Sequence, residues 1–450
     1  MRPTYLAPLA MLLCVVCVGC DGDTEGDTTT DVDDTAVETD TKLDDTTDDV
    51  EDTTVADTTV ECPAPTGARP RARAEHAGVY DPVNHQLVTF GGSFGVPVNC
   101  SSNVAHTYEA DTWIYDLSCD QWRQSAVDTG PKGRVRHSAV YDSAGHRMVI
   151  YGGRERPGSS GTYTLHGEVM AFDLTTETWS ELAPSGVAGG PAPRYNATAV
   201  YNAAANVMLV FGGNTSASGA VYSDSNEVWS FDLANYTWTE VTVQGAGKPS
   251  GRFWAAGVWD SARSWFVIYG GSDDVQVFSQ TARYERDVWA LDFVTDPPTW
   301  YRLDTQETRP LGRFWAGLVH DQVGDRLVMF GGHDDQNLGN RNDMWALAPL
   351  AGAWTELNAG DTANKPPTAF CDFPPDFTLV DKTVPERRHA HVFVGNGEKA
   401  WLTGGKTDCG NVDDVFEFDL ATDTWTELTT ATVGEACIRK GGIDCNDMCF

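Results

Sequence analysis

The sequence has few positive charges, no long apolar run and no helical pattern. Its 31 Lys and Arg residues stand against 65 Asp and Glu, so the formal net charge is −34 at pH 7. Phosphate binding needs a basic footprint, and nucleic acid is therefore not an expected partner. No stretch of helical periodicity is long enough to predict a helix. The eight cysteines beyond residue 20 contain no Cys-x-x-Cys pair, which argues against a zinc site.

The first twenty residues have the pattern of an export signal. Arg2 precedes an uncharged apolar run from Leu6 to Val18, too short to span a bilayer as a helix. The run ends Cys17-Val18-Gly19-Cys20 and resembles a bacterial lipoprotein signal. The resemblance implies cleavage after residue 19, lipidation of Cys20, and anchoring in the cell envelope, at the outer membrane or cell surface. An ordinary cleaved signal with release of the protein is the alternative.

A strongly acidic segment follows the signal. Residues 21–61 contain 17 Asp and Glu and one Lys, with many threonines and little apolar content. Such a segment cannot bury enough surface to offset its chain entropy, and its like charges repel one another. We therefore predict a disordered linker over residues 20–61 that separates the membrane anchor from the following domain.

From Cys62 onward the chain repeats itself six times at a period of about 60 residues. Each copy has an apolar run ending in a glycine pair, an alternating segment, and a closing tryptophan. The glycine pairs are Gly91 and Gly92, Gly152 and Gly153, Gly212 and Gly213, Gly270 and Gly271, Gly331 and Gly332, and Gly404 and Gly405. The tryptophans are Trp122, Trp179, Trp238, Trp300, Trp354 and Trp425. Internal repetition of this kind outranks other indications of fold.

The composition of each copy predicts four short strands, A to D. β-Branched and aromatic residues dominate, and turn residues separate the runs. Strand B is continuously apolar, which is typical of a strand buried on both faces, whereas strand C alternates. The paired glycines suit a sharp turn with φ values that other residues avoid, and the tryptophan suits the wedge between neighbouring sheets.

This pattern resembles the kelch repeat. The resemblance implies an all-β fold, a six-bladed kelch-type β-propeller over residues 62–430 with four antiparallel strands per blade. Residues 431–450 are then a cysteine-containing tail. Antiparallel order places the B–C loops, the D–A loops and the starts of strand A on one face, which carries all the long loops. Long loops on a rigid scaffold are typical binding elements, so the long-loop face is where we expect function.

The eight remaining cysteines form an even set in an exported chain, which suggests disulfides. Cys371 and Cys409 both fall on the long-loop face and are the preferred pair. Cys119 falls in a short turn on the opposite face, a strand's length from Cys100. Because the ring has no shared strand to close it, we expect a cysteine of the tail to pair with the first blade or the Cys62 segment. The tail cysteines are Cys437, Cys445 and Cys449.

An arginine recurs three residues before the histidine position of strand A. The set is Arg73, Arg134, Arg194, Arg252 and Arg313, and the sixth copy departs from it with Glu386. Such a ring has two possible roles: to bind a carboxylate or acidic sugar at the channel mouth, or to tie the blades together through acidic residues and backbone carbonyls. His76, His137 and His389 take equivalent positions and are interpreted as structural.

The sequence contains no recognisable catalytic motif, and we predict no catalytic residue, metal or cofactor. The expected function is a membrane-tethered binding module, a monomer that recognises a protein or glycan through its long-loop face. The alternative is a carbohydrate-active enzyme at the channel mouth, similar to the kelch-like sialic acid mutarotase or to galactose oxidase.

Overall fold

The computed structural model describes residues 62–95, 107–127, 129–158, 161–218, 221–245, 247–273, 284–304, 306–334, 339–365, 378–408 and 410–432. Within these residues every regular element is a β-strand. Six antiparallel sheets of four strands account for most of them. The predicted all-β fold with four strands per repeat is therefore confirmed in the described part of the chain.

In each of the first three sheets, short turns join the first strand to the second and the third to the fourth, and a longer connection joins the second to the third. Sheet 1 contains β1 (Ala77–Asp81), β2 (Gln86–Phe90), β3 (Thr112–Asp116) and β4 (Gln121–Gln124). Sheet 2 contains β5 (Ser138–Asp142), β6 (Arg147–Tyr151), β9 (Val169–Asp173) and β10 (Thr178–Ala183), and its long loop carries the hairpin of β7 (Arg154–Glu155) and β8 (Thr164–Leu165). Sheet 3 contains β11 (Thr198–Asn202), β12 (Val207–Phe211), β13 (Val228–Asp232) and β14 (Thr237–Glu240).

The last three sheets repeat this order. Sheet 4 contains β15 (Ala256–Asp260), β16 (Trp265–Tyr269), β17 (Val288–Asp292) and β18 (Thr299–Arg302). Sheet 5 contains β19 (Gly317–Asp321), β20 (Arg326–Phe330), β21 (Met344–Ala348) and β22 (Ala353–Asn358). Sheet 6 contains β26 (Val392–Gly395), β27 (Lys399–Thr403), β30 (Val415–Asp419) and β31 (Thr424–Thr429). Short additional pairings join β23 (Thr362–Ala363) to β24 (Thr378–Leu379), and β25 (Arg388–His389) to β28 (Lys406–Thr407) and β29 (Gly410–Asn411).

The first strands of the sheets lie side by side around a channel. Each first strand is next to the first strand of the following sheet, and β26 is next to β1. The second strands are almost completely buried, as in β6 and β12, whereas the fourth strands are mostly exposed, as in β14. Burial is thus greatest in the second strand, as its continuously apolar pattern predicts, and lowest in the outermost strand.

Aromatic contacts fill the wedges between neighbouring sheets. The ring of Trp179 in sheet 2 lies 4.9 Å from that of Phe90 in sheet 1. The same contact joins Trp238 to Tyr151, Trp300 to Phe211, Trp354 to Tyr269 and Trp425 to Phe330. In each case the tryptophan of one sheet packs on the aromatic residue that precedes the glycine pair of the sheet before it. Large apolar plates at these positions hold the sheets at a fixed angle.

The glycine pairs are required by backbone geometry. Gly152 and Gly153 have φ values of 75° and 98°. A Cβ atom on Gly152 would lie 2.5 Å from the carbonyl oxygen of Arg194 in the next sheet. The pair therefore serves both the turn out of the second strand and the close approach of the adjacent sheet.

Candidate functional site

The repeated arginines are structural ties in sheets 1 to 5. The side chain of Arg313 is fully buried, and its two terminal nitrogens donate to the carboxylate of Asp343 at 2.5 and 2.8 Å. Its remaining bonds reach the carbonyl oxygens of Gly331 and Leu311. The other arginines repeat this arrangement with the acidic partners Asp111 for Arg73, Glu168 for Arg134, Glu227 for Arg194 and Asp287 for Arg252. These are the acidic and carbonyl partners expected for the structural role, but the side-chain bonds join parts of one sheet rather than neighbouring sheets.

Sheet 6 contains the same tie, displaced by two residues from the expected position. Arg388, rather than the residue at position 386, donates to Asp414 and to the carbonyl oxygen of Gly404. The spacing from Arg388 to His391 equals that from Arg73 to His76. His391, not His389, is therefore the equivalent of His76, and the sequence alignment of the sixth repeat was wrong by two residues.

Immediately after these arginines, six residues form a ring around the channel. Each lies two positions beyond its arginine and has a left-handed backbone, although none is glycine. The six are Glu75, Arg136, Asn196, Trp254, Trp315 and Ala390, with φ between 53° and 63°. Backbone N–H groups of Arg136, Asn196, Trp254 and Trp315 each donate to the carbonyl of the ring residue in the sheet before, at 2.9 to 3.1 Å. Left-handed backbone is costly for such residues and often marks a functional site.

The side chains of this ring meet at the centre. Arg136 forms two hydrogen bonds with the carboxylate of Glu75, at 2.8 and 2.7 Å. Its guanidinium carbon also lies 5.8 Å from the ring centroid of Trp254 and 5.1 Å from that of Trp315, which belong to sheets 4 and 5. Burial alone would lower the pKa of Arg136, but the negative charge of Glu75 outweighs it and raises that pKa. Arg136 therefore reaches from sheet 2 across the mouth of the channel.

Below the ring the channel is narrow and mostly lined by small residues. Its cavity measures about 570 Å³ and is bounded by the first strands of all six sheets. Glu75 is the only acidic residue among the described residues that line it. Asn196 is buried there, and neither atom of its amide group has a hydrogen-bond partner in the described structure.

One side of the mouth, formed by sheets 3 to 6, is an aromatic wall. Its described rings are Tyr222, Phe253, Trp254, Tyr284, Phe314 and Trp315. They contact one another edge to face or stacked, with centroid distances of 4.7 to 5.9 Å. His389 stacks on Trp315 at 5.4 Å and shares the side-chain oxygen of Asn340 with His333. Burial lowers the pKa of His389, so that histidine is a neutral part of the wall near pH 7.

The other side of the mouth, formed by the β7–β8 hairpin of sheet 2, is cationic. The guanidinium of Arg154 lies between two tyrosine rings, 3.8 Å from the centroid of Tyr163 and 4.4 Å from that of Tyr195. Arg156 lies 4.5 Å from the same Tyr163 ring. Burial and the positive charge of Arg136 lower the pKa of Arg154. The mouth thus combines an aromatic wall with three guanidinium groups.

The sequence predicts function on the long-loop face, but it does not single out these side chains. The two positions after each repeated arginine read Ala-Glu, Val-Arg, Tyr-Asn, Phe-Trp, Phe-Trp and His-Ala. These two positions vary among the six copies, whereas the residues on either side of them repeat. This variation is the feature of the sequence that could have indicated the site. A constant scaffold with varied residues at one place is what a binding surface built from repeats requires.

The disulfide among the described residues is not the one expected from the sequence. Cys62 is bonded to Cys119 in the β3–β4 turn, with 5.6 Å between their Cα atoms. Cys62 is therefore not available to a cysteine of the tail, and that part of the prediction is wrong. Cys100, Cys371, Cys409, Cys437, Cys445 and Cys449 lie outside the described residues, as does Cys20, the predicted lipid attachment site.

Hydrogen bonds of the segment that follows Cys62 join the first and last sheets. Gln121 donates to the carbonyl of Pro63 at 3.1 Å. Further along the same segment, Arg69 bonds to Asp413 at 3.3 Å, to the carbonyl of Thr430 at 3.1 Å and to Thr432 at 2.8 Å. The segment from Cys62 to Arg69 therefore links sheet 1 to the chain around the outer strands of sheet 6.

No group of three or more His, Cys, Asp or Glu side chains is placed to hold a metal ion within the part of the chain that the structure describes. Among the same residues no helix is long and apolar enough to cross a membrane.

The repeats, the four-stranded sheets and the channel define a kelch-repeat β-propeller protein. The chain matches the model of the KLHDC2/KLHL20/DRC7 Kelch-repeats domain family over residues 37–189, 99–321 and 159–373, and it belongs to that family.

Two curated relatives show how differently such chains are used. An N-(sulfonatooxy)prop-2-enimidothioate sulfolyase from Thlaspi arvense is 24% identical over 237 residues, 49% of this chain and 65% of the relative. A leucine-zipper-like transcriptional regulator 1 homolog from Drosophila melanogaster is 25% identical over 324 residues, 70% of this chain and 28% of the relative. The chain thus spans less than two thirds of the length of either relative.

Proposed function

We propose that this chain is an exported, membrane-tethered binding module that recognises a protein or a glycan through the long-loop face of a six-bladed propeller. Lipid on Cys20 anchors it in the bacterial cell envelope, and residues 21–61 are the spacer that holds the propeller away from the membrane. The observation that carries the proposal is the ring at the channel mouth, where constant scaffold positions surround six varied residues.

Binding is preferred over sugar chemistry because of what the channel offers. A glycosidase-type mechanism needs two carboxyl groups on either side of a bond. Of the described residues that line the channel, only Glu75 is acidic, and its carboxylate already accepts two hydrogen bonds from Arg136. The sulfolyase relative keeps an enzyme at the channel mouth as the second candidate, but fold alone does not transfer its chemistry.

The decisive experiment compares the two faces of the propeller. The full chain, expressed in a bacterial host and purified in detergent, is screened on a glycan array and by pull-down from its own cell envelope. The test variant is Trp315→Ala at the mouth, and the control is Val323→Ala, an exposed residue in the β19–β20 turn of the opposite face. We expect the mouth variant alone to lose the ligand. Retention by both variants, or turnover of a sugar by the purified chain, contradicts the proposal.

The tether is tested separately. Cys20→Ala should release the protein from the membrane fraction and abolish incorporation of labelled palmitate. A membrane-bound, unlabelled Cys20→Ala protein contradicts the lipid anchor without affecting the binding proposal.

A further inference from the structure

Arg154 differs from every arginine of the repeated scaffold. The scaffold arginines each pair with a carboxylate, whereas Arg154, only 4% exposed, has no carboxylate within ion-pair distance among the described residues. Its Nε atom is shielded from solvent and has no hydrogen-bond partner there. A buried charge without a counter-ion is unfavourable and is retained mainly where it has a use.

The neighbourhood does not neutralise this charge. Arg136 and Arg156 are the other cations of the mouth, and Glu75 is already paired with Arg136. Glu155, which lies between Arg154 and Arg156 in sequence, is 3.6 Å from Lys132 instead. Three guanidinium groups thus face one carboxylate, within a chain whose net charge is −34. A local positive site in an acidic protein concentrates an anionic ligand at that point.

The geometry of Arg154 and Arg156 suits a planar anion. Arg154 begins β7 and Arg156 directly follows that strand, and both contact the ring of Tyr163, at 3.8 and 4.5 Å. The Arg154 guanidinium also contacts the ring of Tyr195, and the two tyrosine rings restrict its movement. A fixed guanidinium offers parallel N–H donors that match the two oxygens of a carboxylate.

The surface beside this cationic pair suits a sugar ring. Tyr195 contacts Arg154 and precedes Asn196, whose carbonyl oxygen accepts a hydrogen bond from the backbone N–H of Trp254 at 3.1 Å, so the aromatic wall begins close to Arg154. Half-buried Trp315 lies further along the same wall. Rigid aromatic side chains provide apolar contact area with a polar rim, which fits the mixed faces of a pyranose.

We propose that Arg154 and Arg156 bind the carboxylate of an acidic saccharide whose sugar rings lie against Trp315, the partly exposed ring of the aromatic wall. This inference rests on the proposed binding function and specifies its ligand. It also explains why an unpaired cation persists in the free protein, since the ligand supplies the missing counter-ion.

The test uses ligands that differ only in charge. Binding of the full chain to trigalacturonate is measured by calorimetry beside the methyl ester of the same trimer, and a glycan array adds further uronate-containing, sulfated and neutral saccharides. We expect at least one uronate-containing saccharide to bind, its ester to bind at least tenfold more weakly, and the affinity to fall as salt is added. Binding of sulfated or neutral saccharides alone, or of peptide carboxyl termini instead of any uronate, overturns the proposal.

Variants separate a ligand role from a structural one. Arg154→Gln and Arg156→Gln should each weaken uronate binding at least tenfold, and Arg154→Gln should not lower the melting temperature, because it removes an unpaired buried charge. Arg123→Gln, on the outer strand of sheet 1, is the matched control and should bind normally. If Arg154→Gln melts at a lower temperature, as a scaffold variant would, or if Arg154→Gln and Arg156→Gln both bind normally, the inference fails. If a ligand is lost only from the Trp315→Ala variant, the proposed binding function remains but the inference about its ligand fails. If a ligand binds every mouth variant normally, both proposals fail.

Discussion

Arg136 and Glu75 form a double hydrogen bond between sheets 1 and 2, with Nε–Oε2 and Nη2–Oε1 distances of 2.8 and 2.7 Å. Both side chains are buried, with 7% and 4% of their surfaces exposed. The backbone N–H of Arg136 also donates to the carbonyl of Glu75. The pair therefore joins neighbouring sheets through side chain and main chain together, at the point where the channel meets the long loops.

Breaking this pair should be costly. Glu75→Gln leaves the Arg136 guanidinium buried without its counter-ion, and the free energy of unfolding should fall by about 3 kcal/mol. Urea unfolding of the two proteins at pH 7 measures the difference. Glu177→Gln is the control, because Glu177 pairs with Arg123 at a half-exposed position and should contribute less than about 1 kcal/mol. Equal losses of unfolding free energy in the two variants would show that the Glu75–Arg136 pair stabilises the protein no more than a surface ion pair does.

A lysine should not replace a scaffold arginine. Arg313 donates to Asp343, Gly331 and Leu311 from a fully buried guanidinium, and a lysine ammonium cannot reach all three. We expect Arg313→Lys to lower the free energy of unfolding by about 3 kcal/mol, because buried acceptors lose their donors. Arg123→Lys at the surface is the matched control. Differential scanning calorimetry of both variants checks the prediction, and a normal melting temperature for Arg313→Lys would contradict the structural role of the ring.

The repeat pattern predicted the scaffold well because each scaffold residue is determined by contacts that recur from one copy to the next. Gly152 is glycine because the next sheet comes within 2.5 Å of where its Cβ would be, and Trp179 is large because the wedge beside Phe90 must be filled. Both reasons are contacts with a neighbouring sheet that recur around the ring, so the copies share them. Even there, the sixth repeat was misaligned because its Arg388 is two residues nearer the glycine pair than the other arginines.

The mouth could not be predicted in the same way. Arg136 contacts Trp254 and Trp315 from sheets separated from its own by one hundred residues or more of sequence. Nothing in a single copy indicates that these side chains converge, because convergence follows from closing the ring of sheets. The disulfide failed as a prediction for a similar reason, since the path of residues 62–69 down the side of sheet 1 has no counterpart in the other repeats.

The disulfide should stabilise the first sheet. Cys62 and Cys119 are 57 residues apart, and closing a loop of that length restricts the unfolded chain by about 4 kcal/mol in the entropy model. Cys62→Ser with Cys119→Ser should therefore lower the free energy of unfolding by about 2 to 4 kcal/mol. Peptide mapping under non-reducing conditions should recover the Cys62–Cys119 linkage in the parent protein. A parent protein with free thiols at both positions would contradict the assignment.

The histidines at the third position after the arginines should make the protein sensitive to mild acid. Burial lowers the pKa of His76 and of His391 to about 3 and places that of His137 well below its usual value. In the unfolded chain a histidine binds its proton near pH 6.5. Between pH 6.5 and the folded values the unfolded state therefore binds more protons than the folded one, so stability is complete above pH 6.5 and declines as the pH falls.

The chain itself provides the replacement that tests this effect. Sheets 3, 4 and 5 have alanine at the same position, namely Ala197, Ala255 and Ala316. In the triple variant His76→Ala, His137→Ala and His391→Ala, urea unfolding between pH 7.5 and 5 should show a much flatter dependence of stability on pH. Each histidine contributes at most about 1.4 kcal/mol per pH unit to the parent slope. His389 keeps a residual slope in the variant, because burial lowers its pKa as well. An unchanged slope would show that the acid sensitivity arises from other groups and that these three histidines are not buried neutral in the folded protein.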